Sequence, residues 1–383
     1  MLDAPRTSGE HHAEPEKNLR PRYIEEVAAC CIVRTACART MGDTTYLDMI
    51  GDTPLLHLRS LSRATRCRIL AKAEFSNPGG SSKDRVAAAI VREAEASGAL
   101  QPGGTLVEAT SGSTGVSLAL IARARGYKCL LVMPDDTSAE KVRTARALGA
   151  EVEVVKPAPI ASDENAVNVA RRRAQERPGS VFCDQFENLA NMHAHTHGTG
   201  REIWEQTAGE VDAFVMSAGT GGTLAGVSAY LKAKRPSLRV LLVDPPGSAL
   251  YHRVNHGVLY CSQQQERTAR RTRYDSIVEG VGIDRVTGNL AQAQVDAAYR
   301  VSDAETVAMA RHLLQHEGLF VGGSAALNCV GAVRAARQLG PGHTVVTVLC
   351  DGGHRYLSTI HAPEPSADAP LLDRAGGDTV EAE

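Results

Sequence analysis

Aromatic side chains make up only 4% of the 383 residues, and 42 basic against 44 acidic side chains leave a formal charge of just -2. Little is available to stack bases on, and no net field draws the chain to nucleic acid or anionic lipid. Apolar runs long enough to span a bilayer are missing, as is the apolar core of a signal peptide near Met1. Nine cysteines, at 30, 31, 37, 67, 129, 183, 261, 329 and 350, are odd in number and form no C-x-x-C pair. They read as free thiols in a reducing compartment, not as a disulfide frame or a zinc site. No internal repeat is visible. These absences leave a soluble cytoplasmic protein without nucleic-acid or membrane partners. Arg6, Arg20, Arg22, Arg34 and Arg39 permit a mitochondrial address as the alternative, against which Asp3, Glu10, Glu14, Glu16, Glu25 and Glu26 count.

What the chain does have is regular alternation. An apolar content of 43% supports one large domain or two of medium size. Strands are expected at 69–73, 105–108, 128–133 and 152–155, followed by helices ending near 97, 125, 148 and 177. A second run places strands at 213–217 and 240–244, helices at 202–207, 223–234, 303–317 and 326–339, and a last buried strand at 344–350. Such alternation implies parallel strands joined by right-handed helical crossovers. Residues 1–44 read as a largely flexible extension with one short helix in 23–37. The segment 247–273 reads as a solvated surface excursion, and 361–383 as a disordered tail.

Three glycine-rich corners carry the chemistry. Asn77-Pro78-Gly79-Gly80-Ser81-Ser82-Lys83-Asp84-Arg85 turns from a strand into a helix and delivers Lys83 to its first turn. Ser81 or Ser82 is placed to cap that helix, and Asp84 complements the positive end of its dipole. Taken alone, the stretch fits a capped helix with a solvated lysine equally well. In Glu108-Ala109-Thr110-Ser111-Gly112-Ser113-Thr114-Gly115, hydroxyls and backbone N–H groups converge at a helix N-terminus, which favours a carboxylate or phosphate over a plain polar cap. Ser217-Ala218-Gly219-Thr220-Gly221-Gly222-Thr223 is a second loop of this kind, whose glycines let the backbone approach an anion and whose threonines add donors. A close-packed glycine turn is the alternative there. A dinucleotide fingerprint needs glycine where Leu224 stands, which disfavours a nicotinamide dehydrogenase. His193-x-His195-x-His197 invites a metal reading, but it precedes a helix and no carboxylate or cysteine with ligand spacing accompanies it, so no metal is expected. One lysine, one phosphate cup and one carboxylate cup together suit an aldehyde cofactor that carries a phosphate, attaches to lysine and acts on an amino acid.

With these residues in hand, the chain resembles the fold type II pyridoxal-phosphate enzymes, and within them the cysteine synthase (O-acetylserine sulfhydrylase) and cystathionine β-synthase family. The resemblance runs over residues 47–358 and rests on the lysine stretch, Ile50-Gly51-Asp52-Thr53-Pro54-Leu55, Thr110-Ser111-Gly112-Ser113-Thr114-Gly115, Gln185-Phe186-Glu187-Asn188, Gly219-Thr220-Gly221-Gly222-Thr223, Gly322-Gly323-Ser324 and Asp351-Gly352-Gly353-His354-Arg355-Tyr356-Leu357-Ser358. The stretches Asp244-Pro245-Pro246-Gly247-Ser248 and Val278-Glu279-Gly280-Val281-Gly282 are most similar to the fungal mitochondrial branch of the family.

The resemblance implies an α/β fold of the tryptophan synthase β type, with two subdomains, each a mostly parallel sheet flanked by helices. The catalytic domain would span 45–360, and a smaller mobile subdomain, about 86–188, would be inserted in the larger. Lys83 would hold pyridoxal 5'-phosphate covalently. Gly219, Thr220, Gly221, Gly222 and Thr223 would hold its phosphate, Ser324 would face its ring nitrogen, and Ser113 would complete the cofactor site. Thr110, Ser111, Gly112, Thr114 and Gln185 would bind the substrate carboxylate. Ser113 stands where the family commonly has asparagine, and Ala109 where it has proline. The implied reaction is a β-replacement on O-acetylserine or serine by sulfide or a thiol, in a homodimer, with cysteine formation from O-acetylserine and sulfide preferred. Cystathionine β-synthase, cysteine desulfhydrase or serine dehydratase activity on the same fold, and a non-catalytic scaffold, are the alternatives.

Overall fold

Ten strands, introduced in chain order, carry the fold: β1 (Leu55–His57), β2 (Arg68–Ala73), β3 (Thr105–Ala109), β4 (Lys128–Pro134), β5 (Glu151–Val155), β6 (Ser180–Phe182), β7 (Ala213–Ser217), β8 (Arg239–Asp244), β9 (Ala297–Arg300) and β10 (Thr344–Leu349). They belong to a computed structural model that describes residues 45–110, 112–137, 139–261 and 276–362. By internal contacts the chain divides into Met1–Thr45 and Tyr46–Glu383, and every element described here lies in the second unit. The extension 1–44, the tail beyond 362 and the second part of the 247–273 excursion, namely 262–273, lie outside the described residues.

Six strands form one sheet in the order β1-β2-β10-β7-β8-β9, and four form another in the order β5-β4-β3-β6. Every pairing is parallel except β1 with β2. β7 and β10 are buried along their whole length, as expected of parallel strands covered by helices on both faces. The second sheet uses only residues 105–182, so the chain completes it between β2 and β7 of the first.

β10 pairs on one side with β2, from Thr344 opposite Arg68 to Leu349 opposite Ala73, and on the other with β7. The carboxyl ends of three adjacent parallel strands therefore open onto one edge. The lysine stretch follows β2, the glycine cup follows β7, and Cys350 to Arg355 follow β10. In the second sheet, β3 and β6 are neighbours, and their carboxyl ends deliver Thr110 and Gln185. Crevices at the carboxyl ends of parallel strands are where open α/β sheets bind ligands.

The strands and helices expected around the three corners are present within a few residues. The structure adds β6 and β9, both short edge strands whose burial shows no clean alternation, and the helix Arg59–Thr65. It also places the helix Leu250–His256 inside the segment 247–273 read as a solvated surface excursion. Among the described residues no helix is long and apolar enough to cross a membrane; Cys67, Cys129, Cys183, Cys329 and Cys350 are free and buried, and Cys261 is buried.

Candidate active site

The lysine stretch is fastened at both ends. Asn77 Oδ1 accepts the Gly51 N–H at 2.9 Å, while its Nδ2 donates to Glu74 O and Oε2, each at 2.9 Å. The helix Lys83–Ala96 then begins with the Lys83 N–H donating to Ser81 Oγ at 3.2 Å, so Ser81 and not Ser82 meets its open end. Asp84 does more than complement the helix dipole. Its buried carboxylate accepts the Gly79 N–H and the Ser117 hydroxyl, both at 2.5 Å. The Gly79 carbonyl accepts from Arg355 Nη2 at 2.6 Å, and Arg355 Nη1 donates to Ser113 Oγ at 2.7 Å. The N–H and the carbonyl of Gly79 are thus both tied, through Asp84 and Arg355, to the first turns of the helix Ser113–Arg125, which closes a ring between the lysine stretch and the hydroxyl cup. A Cβ on Gly79 would collide with the Asp84 carboxylate, which fixes glycine at that position.

Behind the lysine lies a buried ionic network. Arg85 Nε reaches Glu74 Oε2 at 2.8 Å and its Nη1 reaches Glu202 Oε1 at 2.6 Å, while Lys72 Nζ reaches Glu202 Oε2 at 2.5 Å. Thr53 joins it through its hydroxyl to Glu74 at 2.8 Å and its carbonyl to Lys72 at 2.6 Å. Gly51 to Thr53 therefore serve as an anchor for the lysine corner from behind. Burial resists ionisation of Glu202, but the hydrogen bonds and charges of Arg85 and Lys72 overcome it and hold the carboxyl down at about 2.

The hydroxyl cup follows β3. Glu108 is fully enclosed and accepts the Ala109 N–H at 2.8 Å and the Gln185 N–H at 3.0 Å. Gln185 Oε1 accepts from Thr114 Oγ1 at 2.6 Å, and its Nε2 donates to Ala109 O at 3.0 Å. Burial pushes Glu108 up to about 8, against the pull of those N–H groups. Between its ordinary value of 4.5 and about 8, the folded protein holds a proton that the unfolded chain has lost, so this group lowers stability as pH rises through that window. Glu108→Gln is expected to lessen the fall in stability between about pH 5 and pH 8, read from denaturation midpoints at the two ends. An unchanged pH slope would contradict this account.

The glycine cup opens the helix Gly222–Lys234, with Gly221 at φ 85°. A Cβ on Gly219 would strike the Gly280 carbonyl, one on Gly221 would lie 2.5 Å from Leu290 Cβ, and one on Gly222 would strike the Asn191 side chain. Asn191 Nδ2 ties Thr220 Oγ1 to the Gln185 carbonyl, each at 2.9 Å, and so links the two cups. Gly222→Ala is expected to weaken cofactor retention at least tenfold, measured by reconstituting cofactor-free protein, because Asn191 must move and Thr220 with it. Wild-type retention in that variant would show the close approach to be unnecessary.

Lys83, Thr110, Gly112, Ser113, Thr114, Gln185, Gly219, Thr220, Gly221, Thr223 and Ser324 all line one cavity of about 740 Å³. Gly222 lies behind its wall against Asn191, and Ser111 lies outside the described residues. Ser324 stands in the first turn of the helix Gly323–Leu339, in the same wall as Cys350, whose thiol burial pushes up to about 12 so that it brings no charge to the cavity. His193 and His197 lie one helical turn apart, with their rings 6.2 Å from each other, while His195 is buried; among the described residues no group of three or more His, Cys, Asp or Glu is disposed around a metal. Reading single motifs gave Asp84 only a dipole role and His195 only a metal reading, missed Asn191, and took Arg355 only as part of a longer signature; their partners are 5 to 276 positions away in sequence.

The cavity has the polarity that a phosphate-bearing aldehyde requires. Its wall holds an amine and a helix N-terminus flanked by Thr220 and Thr223, where partial positive charge and N–H donors favour an anion. Ser217 Oγ and Asp351 Oδ1, on residues that line the wall, are buried without a hydrogen-bond partner in the protein. A polar ligand in the cavity is what such orphaned atoms call for.

The family described as pyridoxal-phosphate dependent enzyme matches residues 46–351, and the chain belongs to it. Within that class it is similar to "Cysteine synthase 2" of Schizosaccharomyces pombe, with 51% identity over 327 residues that cover 82% of this chain and 83% of the relative. It is 49% identical to "Cysteine synthase" of Dictyostelium discoideum over 322 residues, with 82% and 83% covered. Among solved structures, O-ureido-L-serine synthase superposes with a TM-score of 0.74 at 33% identity, covering 85% of this chain and 98% of that one.

Proposed function

We propose that the protein is a cysteine synthase, forming L-cysteine and acetate from O-acetyl-L-serine and sulfide. The observation that carries this reading is the match of four-fifths of the chain, at about half identity, to relatives named for that activity. It is supported by a lysine that shares one cavity with two anion cups. When bound, pyridoxal phosphate supplies an electron sink that acidifies the substrate Cα–H.

The protein's own residues do the rest. Gly219 to Thr223 would hold the phosphate, and Ser324 would offer the ring nitrogen a neutral hydroxyl. Thr110, Ser111, Gly112, Thr114 and Gln185 would take the substrate carboxylate, and Ser113, held by Arg355, would complete the cofactor site. Lys83 would hold the cofactor, and its amine serves as the base that takes the proton from Cα. The Cβ–O bond then breaks and acetate leaves with its electron pair. Hydrosulfide forms the Cβ–S bond, and Lys83 returns the proton to Cα.

Steady-state release of cysteine from O-acetylserine and sulfide by the purified protein tests the reading. Turnover that requires homocysteine in place of sulfide would replace it with a cystathionine synthase, and the absence of any turnover by cofactor-loaded protein would favour a scaffold. The extension 1–44, the catalytic span 45–360 with a mobile part at about 86–188, and the tail 361–383 complete the proposed organisation, with a homodimer as the working assembly. For the address, a Saccharomyces cerevisiae relative at 46% identity, whose name provisionally assigns it to mitochondria, favours that compartment over the cytoplasm.

A further inference from the structure

His195 is fully buried in the π-helical turn His195–Gly200, yet it reaches the glycine cup. Its Nδ1 lies 2.9 Å from Thr199 Oγ1, and its Nε2 lies 3.0 Å from Thr223 Oγ1. Two glycines make this reach possible. A Cβ on Gly226 would come within 2.8 Å of His195 Cβ, and one on Gly200 within 2.9 Å of Tyr230 Cβ, so only glycine lets the π-turn lie this close to the helix Gly222–Lys234.

The ring has little freedom of protonation. Burial, then the charges of Arg85 and Lys83, hold it well below 6.5 against the opposing charge of Glu202, so it is neutral and carries one N–H. If that hydrogen were on Nδ1, Nε2 would take the Thr223 proton, and the hydroxyl would turn only lone pairs toward the cavity. If it is on Nε2, the ring donates to Thr223 Oγ1, Thr199 donates to Nδ1, and the Thr223 proton remains free for the cavity. A hydroxyl at an anion cup is useful only in the second arrangement, since lone pairs facing a phosphate repel it.

We infer that His195 is a positioning residue, held as the Nε2–H tautomer, that turns the Thr223 hydroxyl to donate to the phosphate of the bound cofactor. This rests on the reading of Gly219 to Thr223 as the phosphate cup. It gives the one motif left without a use, the histidine triplet, a function through its middle member.

Nitrogen-15 NMR of histidine-labelled holoenzyme reads the tautomer directly, and phosphorus-31 NMR reads the phosphate's surroundings. The expected result is the Nε2–H form. His195→Leu should weaken cofactor retention roughly tenfold to a hundredfold, as for a lost hydrogen bond to a charged group, and should move the phosphorus resonance. His195→Gln, which can place an amide N–H near the same point, should recover part of both. The double variant His195→Leu with Thr223→Val should lose no more than Thr223→Val alone, because the histidine acts only through that hydroxyl. An Nδ1–H tautomer in the wild-type holoenzyme, or additive losses in the double variant, would overturn the inference. If Thr223→Val itself left retention and the phosphorus resonance unchanged, the phosphate-cup reading would have failed. If Thr223→Val weakened retention and His195→Leu did not, only the positioning role would have failed.

Discussion

Lys83→Ala is expected to slow cysteine formation by at least roughly a thousandfold while leaving the fold and the two anion cups in place. The side chain starts at the first residue of its helix, where the backbone is held by Ser81, by Asp84 through Gly79, and by Arg85 through Glu74 and Glu202. None of those contacts uses the lysine amine, so its removal takes away chemistry and little structure. The cofactor should still enter the glycine cup, now without a covalent bond. Intact mass after borohydride reduction checks this, with cofactor retained on the wild type and absent from the variant. Residual turnover within tenfold of the wild type would remove Lys83 from the reaction.

Glu202→Gln is expected to destabilise the fold by about 3–5 kcal/mol, the usual cost of removing one partner from a buried ion pair. Glu202 meets both Arg85 and Lys72, and its loss leaves two buried cations facing Glu74 alone. The pH dependence gives a second reading. The folded-state value of about 2 lies below the ordinary 4.5, so this carboxylate's stabilisation is complete above about pH 5 and is lost as pH falls toward 2. A shift of that size corresponds to about 3 kcal/mol at neutral pH. In Glu202→Gln this contribution is gone, so acid should lower its denaturation midpoint less steeply than that of the wild type. A midpoint equal to the wild type's at neutral pH would show that neighbouring groups compensate for the missing charge. The same variant should also disturb Lys83, since Arg85 is two residues along the same helix.

The three corners were legible because each is a local event. A strand, a glycine turn and a helix start are encoded within about ten residues, and the preference of helix N-termini for anions follows from backbone geometry alone. Lys83, Gly219 to Thr223 and Thr110 to Thr114 could therefore be picked out before any contact was known. The supports of these corners were not legible in the same way. Asp84 looked like a dipole complement because its sequence neighbours suggest one, whereas its acceptor geometry is set by Gly79 and by Ser117 across a helix pair. His195 looked like part of a metal motif because alternate histidines share a face on a strand; on a helical stretch they diverge, and the middle one turns inward to Thr223.

The sequence by itself determined the alternation that makes parallel sheets, the three loops that can hold an amine and two anions, and the family to which they belong. Only the tertiary structure decided that these loops meet. It inserted β10 between β2 and β7, so that residues about 270 positions apart in sequence lie at one sheet edge and Arg355 can bond both Gly79 and Ser113. Local propensity cannot specify such a pairing. Strand order is settled by which buried faces and backbone hydrogen bonds are satisfied together, and that is a property of the whole assembled sheet.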